Sequence, residues 1–175
     1  IYLIEAGPRL LAGMSEESSA HAEQFLREMG VNILLNKRVV DYRDHKVVLE
    51  DGTEIATRTF IWVSGVTGVT IGNLDASLIG RGGRIKVDSF NRVEGMNNVF
   101  AIGDQCIQVA DEDYPNGHPQ LAQVAIQQGE LLAKNLVRME KGREMKPFHY
   151  RNLGSMATVG RNRAVAEFSK VKMQG

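Results

Sequence analysis

The sequence is poor in the residue types that several kinds of functional site require. Its single cysteine, Cys106, cannot form an intramolecular disulfide, a Cys-x-x-Cys redox pair or a zinc cluster. The four histidines, at positions 21, 45, 118 and 149, lack metal-ligand spacing. No Ser-His-Asp set or pair of carboxylates stands out either. We therefore predict no metal site and no acid–base or nucleophilic catalytic side chain, and we interpret Cys106 as a small packed residue.

The sequence also lacks an excess of positive or negative charge, and it lacks long apolar runs. The 21 basic and 21 acidic residues cancel, and no basic block points to a nucleic-acid partner. Aromatic residues make up 6% of the chain, too few for a base-stacking platform. No apolar run reaches the roughly 18–20 residues that cross a bilayer, and no signal peptide is visible. We expect a soluble globular chain, and the single cysteine fits a reducing compartment.

The first 36 residues predict a strand, a helix and a second strand. IYLIE (1–5) is typical of a fully buried parallel strand. Ser15 is a good N-cap for a helix that runs to about Met29 and ends at Gly30. VNILLN (31–36) is the second strand. This order is typical of half of a doubly wound α/β unit.

The rest of the chain continues this pattern with an inserted β-meander. Turns at residues 44–45 and 51–52 predict hairpins. TFIWV (59–63) and NVFAIG (98–103) are predicted strands, and Pro119 is predicted at the first position of a helix that ends near Glu140. The expected apolar face of that helix is Leu121, Val124, Ala125, Leu132 and Leu136. Residues 151–175 predict short strands with glycine turns.

Three short stretches lie at the carboxyl ends of predicted strands, which is where ligands bind in such sheets. They are Glu5, Ser64-Gly65 and Gly103-Asp104. An acidic residue can hold ribose hydroxyls, and a glycine lets a ligand approach the backbone. The alternatives are a solvated strand-end glutamate and ordinary turns, and each stretch alone leaves both interpretations open.

Gln123 and Gln127 are four residues apart and share one face of the predicted helix. From the spacing alone, the favoured interpretation is that both glutamines simply face water.

Together, five segments carry a family resemblance: IYLIEAGPRLL, FIWVSGV, NNVFAIGD, PQLAQVAIQQG and GSMATVGRNRAV. In their order and spacing the chain resembles the type II NADH dehydrogenases. These are single-chain, FAD-containing NADH:quinone oxidoreductases with the two-dinucleotide-domain fold of the glutathione reductase group. The resemblance spans nearly the whole chain.

The resemblance implies FAD and NADH as cofactors and a quinone as substrate. Glu5 would bind the NADH ribose, with NADH preferred to NADPH, and Ser64 and Gly65 would lie by the nicotinamide. Asp104 would bond the ribityl chain of FAD, with Gly103 giving it close approach. AQVAIQ (122–127) resembles the Ala-Gln-x-Ala-x-Gln motif beside the flavin. There the resemblance implies that Leu121, Ala122 and Gln123 bind the cofactor. It also implies that Gln123 and Gln127 line the quinone pocket.

We therefore expect an α/β fold: part of a Rossmann-like, two-dinucleotide-binding-domain protein with a β-hairpin or meander insertion. The expected domains are 1–83, the later part of the NADH domain; 84–150, a second FAD segment; and 151–175, the start of a C-terminal region. The family's glycine-rich FAD and NADH turns and its membrane-surface helices have no counterpart in the sequence. We expect a fragment that is inactive alone and binds FAD weakly or not at all. Either its copies associate, or its second FAD segment packs in a non-native way. The resemblance implies a cytoplasmic parent that is peripheral to the inner face of the membrane. A non-catalytic truncated module and a ferredoxin-type reductase of the same fold are the alternatives.

Overall fold

The structure is a computed structural model that describes residues 1–69, 71–168 and 171–175, and its described chain separates into two compact units. Unit 1 contains residues 1–63 and 153–175, and unit 2 contains residues 64–152. Each unit has its own core. The cofactor domains expected at 1–83, 84–150 and 151–175 remain predictions.

The described helices and strands are short apart from two helices. In chain order they are β1 (Tyr2–Ile4), α1 (Glu16–Glu28), β2 (Asn32–Leu34), β3 (Val39–Arg43), β4 (Lys46–Leu49), β5 (Glu54–Ala56), β6 (Ile85–Lys86), β7 (Cys106–Ile107), α2 (Ala122–Glu140), β8 (Ser155–Thr158), β9 (Ala164–Phe168) and β10 (Val171–Gln174). Short 3₁₀ turns cover Ala76–Leu78, Arg81–Gly83 and Gly103–Gln105. No described helix combines the length and the apolar character needed to span a membrane.

Unit 1 contains the predicted strand–helix–strand unit. Strands β1 and β2 pair in parallel, with Leu3 opposite Ile33. Helix α1 begins after Ser15, whose hydroxyl oxygen accepts the Ser18 N–H, and the helix is followed by Gly30 at φ +80°. These start and stop positions confirm the N-cap and the glycine terminator. The prediction of a fully buried first strand is wrong: β1 pairs only with β2 among the described strands, and Tyr2 is exposed.

Two antiparallel meanders complete unit 1. Strands β3, β4 and β5 form one, and the predicted turn at Asp44 and His45 has both residues at positive φ, as a tight hairpin requires. Strands β8, β9 and β10 form the other. Helix α1 packs on the second meander, and the core there consists of Ala22, Val159 and Val165.

The strand predicted at 59–63 is wrong. These residues are not in a strand, and Ile61 and Val63 are exposed. Phe60 instead stacks on Tyr42, with ring centroids 4.8 Å apart. An apolar run predicts a strand only where a neighbouring strand supplies hydrogen bonds, and the described structure of unit 1 places none beside this run.

In unit 2 the predicted strand at 98–103 is also wrong. The run makes only an isolated bridge between Phe100 and Arg92, with Ala101 N–H donating to the Asn91 carbonyl at 3.0 Å. Parallel strands β6 and β7 pair nearby, Ile85 opposite Cys106. Ile85, Val87, Val93 and Cys106 form the adjacent core.

Helix α2 begins later than predicted, and the apolar face predicted for it is buried only in part, at Val124. Pro119 is not its first residue, because Leu121 is extended and acts as the N-cap. The residues that it buries are Val124, Gln128 and Asn135. Leu121 and Leu136, predicted on the apolar face, are exposed, whereas Leu131 packs on the cluster of Val124, Phe148 and Tyr150. Two carboxamides thus occupy buried positions of the helix.

Candidate functional site

The Gly103-Asp104 turn of unit 2 packs directly against helix α2. Gly103 has φ +66°, and a Cβ added to it would lie 3.3 Å from the Ala125 Cβ. A larger residue there would be strained in its backbone and crowded by the helix. The carboxylate-bearing Asp104 that follows is exposed. The turn therefore combines a close backbone approach to the helix with an accessible carboxylate, and a ligand contact at this turn stays a prediction.

Gln128 fastens this turn to the helix. Its side chain is 1% exposed, and its Oε1 accepts the Gly103 N–H at 2.6 Å. The same oxygen lies 3.7 Å from the Cys106 Sγ. Sequence reasoning missed Gln128 because a glutamine is usually assigned to solvent. Its position four residues after the buried Val124 is the signal that could have identified it.

The first turn of α2 faces the same region. Leu121 is the N-cap of the helix, and its apolar side chain makes no capping hydrogen bond to the first turn. Gln120 Nε2, just before the helix, donates to the Asp104 carbonyl at 3.2 Å. An uncapped helix start carries about half a positive charge. The start of this helix beside an exposed carboxylate fits a group that combines hydroxyls with an electron-accepting ring edge, such as FAD.

Gln123 and Gln127 lie in the first two turns of α2, and both are half-buried. The Gln127 carboxamide is engaged by one backbone residue: Nε2 donates to the Arg151 carbonyl at 2.9 Å, and Oε1 accepts the Arg151 N–H at 3.0 Å. The interpretation of two water-facing glutamines does not fit Gln127, whose amide holds the segment that follows α2.

The Ser64-Gly65 dipeptide is exposed and irregular, with Gly65 at φ +97°. The chain that follows is tied back to unit 2. Gly68 N–H donates to the Gly82 carbonyl at 2.8 Å, and a Cβ on Gly68 would lie 2.3 Å from the Gly83 carbonyl oxygen. Backbones approach this closely only when the residue has no side chain.

Gln105 links that segment to the Gly103-Asp104 turn. Its Oε1 accepts the Val69 N–H at 2.9 Å, and its Nε2 donates to the Val69 carbonyl. The structure thus brings Gly103, Asp104 and the start of α2 together, with the segment after Gly65 fastened to the same turn.

Glu5 lies in unit 1, directly after β1. Its backbone N–H donates to the Leu34 carbonyl at 2.9 Å, which continues the pairing with β2. Its Oε1 accepts the Gly7 N–H at 2.6 Å. The half-buried carboxylate is therefore oriented at the carboxyl end of β1, where a ribose-binding residue is expected.

A buried ionisable pair precedes α2 and was not predicted. His118 is 1% exposed, its Nε2 lies 3.0 Å from Asp111 Oδ2, and its ring packs edge-on against Phe148. Arg84 donates to the carbonyls of Cys106 and His118. The hydrogen bond from His118 is the main cause that lowers the pKa of Asp111 below its ordinary value. These contacts hold the loop that leads into the helix. The described residues contain no group of His, Cys, Asp and Glu that could hold a metal.

Comparison with known proteins gives matches along the whole chain. The family model of pyridine nucleotide-disulphide oxidoreductases matches residues 1–129. A type II NADH:quinone oxidoreductase, NdhA of Mycobacterium tuberculosis, is 34% identical over 100% of this chain and 38% of its own length. An internal alternative NAD(P)H-ubiquinone oxidoreductase of Arabidopsis thaliana mitochondria is 34% identical over 98% of this chain and 35% of its own length. The chain therefore spans less than half the length of these curated relatives.

Solved structures show the same fold. NDH2 of Plasmodium falciparum, in complex with NADH, superimposes with a TM-score of 0.86 at 19% identity over 100% of this chain and 51% of that one. The ferredoxin reductase of the CYP199A2 system of Rhodopseudomonas palustris superimposes with a TM-score of 0.73 at 19% identity over 94% of this chain and 40% of that one. The expected fold class, part of a two-dinucleotide-domain α/β protein, is confirmed by these matches.

Proposed function

Because the chain belongs to the pyridine nucleotide-disulphide oxidoreductase family, we propose that it is part of an FAD-dependent NADH:quinone oxidoreductase. The overall reaction would take a hydride from NADH and a proton from solvent, and would release NAD⁺ and a quinol. Its relatives at 33–34% identity carry the name of that activity. A ferredoxin-type reductase is the second candidate, because a ferredoxin reductase shares the fold.

The observation that carries the proposal is the packing of the Gly103-Asp104 turn on the uncapped start of α2. An exposed carboxylate can accept hydrogen bonds from the ribityl hydroxyls of FAD. The N–H group at Ala122, in the first turn of α2, can donate to the ring edge on which negative charge develops. A helix start stabilises a nearby anion by about 0.3–2 kcal/mol. When bound, FAD supplies the hydride-accepting chemistry, and the chain supplies position and electrostatics.

Glu5 is proposed to select the nucleotide. A carboxylate at the end of β1 accepts hydrogen bonds from ribose hydroxyls and repels the 2′-phosphate of NADPH. The Gly7 N–H fixes the direction of one carboxylate oxygen. Ser64 and Gly65 are proposed to lie on the nicotinamide side, where the small, exposed Gly65 leaves room for the ring.

Gln123 and Gln127, with Leu121 at the exposed N-cap, are proposed to line the quinone pocket. A quinone carbonyl needs a hydrogen-bond donor and an apolar neighbour, and carboxamides together with Leu121 provide both. Because quinones dissolve in membranes, the proposal includes peripheral association of the full-length protein with the inner face of a membrane. Association of copies of the chain remains a prediction.

The test uses the full-length protein that contains this sequence, purified and scanned for flavin absorbance. Anaerobic NADH should bleach the flavin, and a short-chain quinone should restore its absorbance faster than a ferredoxin does. Faster reoxidation by ferredoxin would favour the second candidate. Absence of flavin from the purified protein, even after incubation with FAD, would contradict both.

A further inference from the structure

Gln128 differs from the other glutamines of α2 because its side chain is inside the unit. It is 1% exposed, whereas Gln123 and Gln127 are half-buried. Its Oε1 accepts the Gly103 N–H at 2.6 Å. The carboxamide thus joins the second turn of α2 to the residue immediately before Asp104.

The contact accounts for a backbone donor that would otherwise be unpaired. Gly103 has left-handed backbone geometry, and it packs on Ala125 closely enough to leave a Cβ little room. Loss of the acceptor would leave this part-buried N–H unpaired, which would favour rearrangement of the turn. Rearrangement of the turn changes the direction of the next side chain, which is Asp104.

Cys106 completes the arrangement from the other side of the turn. Its Sγ lies 3.5 Å from the Gly103 carbonyl and 3.7 Å from Gln128 Oε1, and Asn91 Nδ2 lies 3.8 Å from the same sulfur. Both the N–H and the carbonyl of Gly103 are therefore held by buried side chains. Asp104 itself is exposed, so its direction depends on the backbone of the turn.

We propose that Gln128 is a positioning residue for FAD: by accepting the Gly103 N–H it fixes the turn that presents Asp104 to the ribityl chain. Gln128 acts only through Gly103. The inference rests on the proposed FAD site, and it assigns to Gln128 a role separate from that of the half-buried glutamines Gln123 and Gln127.

The chain contains a matched control on the same helix. Asn135 is also 1% exposed, and its carboxamide makes two hydrogen bonds of 2.8 Å with the Lys146 backbone. Loss of the Asn135 amide removes buried hydrogen bonds from α2 without touching the Gly103 N–H. A merely structural role for Gln128 therefore predicts equal consequences for the two positions.

The experiment compares three variants of the full-length protein. Gln128→Met keeps the side-chain length and removes the acceptor, Gln128→Glu keeps an acceptor oxygen, and Asn135→Leu is the control. The FAD dissociation constant is measured by flavin fluorescence, and the visible flavin spectrum is recorded. We expect Gln128→Met to weaken FAD binding about tenfold or more, the effect of one lost buried hydrogen bond. Gln128→Glu should restore most of the affinity, and Asn135→Leu should lower the melting temperature while FAD affinity stays near wild type.

Each outcome decides the matter. Wild-type affinity in Gln128→Met, or equal losses in Gln128→Met and Asn135→Leu, overturns the inference while the proposed function stands. A wild-type protein that binds no FAD overturns both. If Gln128→Met does not fold, Gln128→Asn replaces it, because the shorter side chain withdraws its oxygen from Gly103; weaker FAD binding then supports the inference and unchanged binding overturns it.

Discussion

The nitrogen and the oxygen of the Gln127 carboxamide both form hydrogen bonds with the backbone of Arg151, at 2.9 and 3.0 Å. A bidentate pair of this kind fixes the side chain and the segment that it holds. Gln127 therefore has two roles to separate: holding residue 151, and contributing to the proposed quinone pocket.

Substitution of Gln127 should affect quinone reduction more than NADH oxidation. In the full-length protein, Gln127→Leu removes both hydrogen bonds and any amide contact with a quinone carbonyl. We expect the KM for quinone to rise about tenfold, the cost of one or two lost hydrogen bonds, with flavin reduction by NADH near wild type. Stopped-flow and steady-state kinetics measure the two half-reactions separately.

A slower NADH half-reaction in Gln127→Leu would contradict the assignment of Gln127 to the quinone pocket. Asn135→Leu is the control here too, since it breaks a similar bidentate pair, with Lys146, further along α2. It should leave the KM for quinone unchanged.

Glu5 should set the preference for NADH. Its carboxylate is oriented by the Gly7 N–H at 2.6 Å. Glu5→Gln removes the negative charge and keeps an oxygen for that N–H, so the ratio of kcat/KM for NADH to that for NADPH should fall about tenfold. The matched control is Glu50→Gln, an exposed hairpin carboxylate near Arg38. Equal kcat/KM for the two nucleotides in the unmodified full-length protein would exclude this role for Glu5.

Cys106 should be inert as a thiol in the folded chain. It is 1% exposed, and burial raises the pKa of its thiol. The thiolate is the reactive form, so a thiol reagent such as 5,5′-dithiobis(2-nitrobenzoate) should label the native chain far more slowly than the chain in guanidinium chloride. Equal labelling rates in the two solutions would show that the core around Ile85, Val87 and Val93 does not enclose the sulfur.

Much of unit 1 could be predicted from local signals. Ser15 and Gly30 mark the ends of α1, and the turn at Asp44 and His45 marks a hairpin, because each depends on residues close in sequence. The strand at 59–63 could not, since a strand needs a partner that the apolar run itself does not specify. The same reason explains the single bridge that replaces the predicted strand at 98–103.

The candidate site was partly predictable as well. The resemblance to type II NADH dehydrogenases is confirmed by relatives that carry the name type II NADH:quinone oxidoreductase. The predicted cofactor and quinone roles all stay predictions; they concern Glu5, Ser64, Gly65, Gly103, Asp104, Leu121, Ala122, Gln123 and Gln127. Gln128 and the pair of His118 with Asp111 were missed, because a buried polar residue is identified by its three-dimensional partners and not by its residue type.

The stability of the chain in acid should depend on Glu167 in β9. Its carboxylate accepts the Ser18 hydroxyl at 2.6 Å and the Ser15 N–H at 2.9 Å, and so it joins the start of α1 to the second meander. Hydrogen bonds from the Ser15 and Ser18 hydroxyls and the Ser15 N–H lower the pKa of Glu167 from 4.5 to about 2. The folded state therefore favours the ionised carboxylate.

Because the folded pKa of Glu167 is depressed, its stabilising contribution is present above the ordinary pKa of 4.5 and is lost as the pH falls to about 2. Glu167→Gln should lower the melting temperature of the chain at pH 7, and the difference from wild type should shrink between about pH 5 and pH 2. Circular dichroism melts across this range measure it. The control is Glu17→Gln, which removes an exposed ion pair with Lys172 of 2.9 Å and should change the melting temperature little. Two results would contradict this role for the carboxylate. One is a Glu167→Gln melting temperature equal to that of wild type at pH 7. The other is a difference in melting temperature that stays constant down to pH 2.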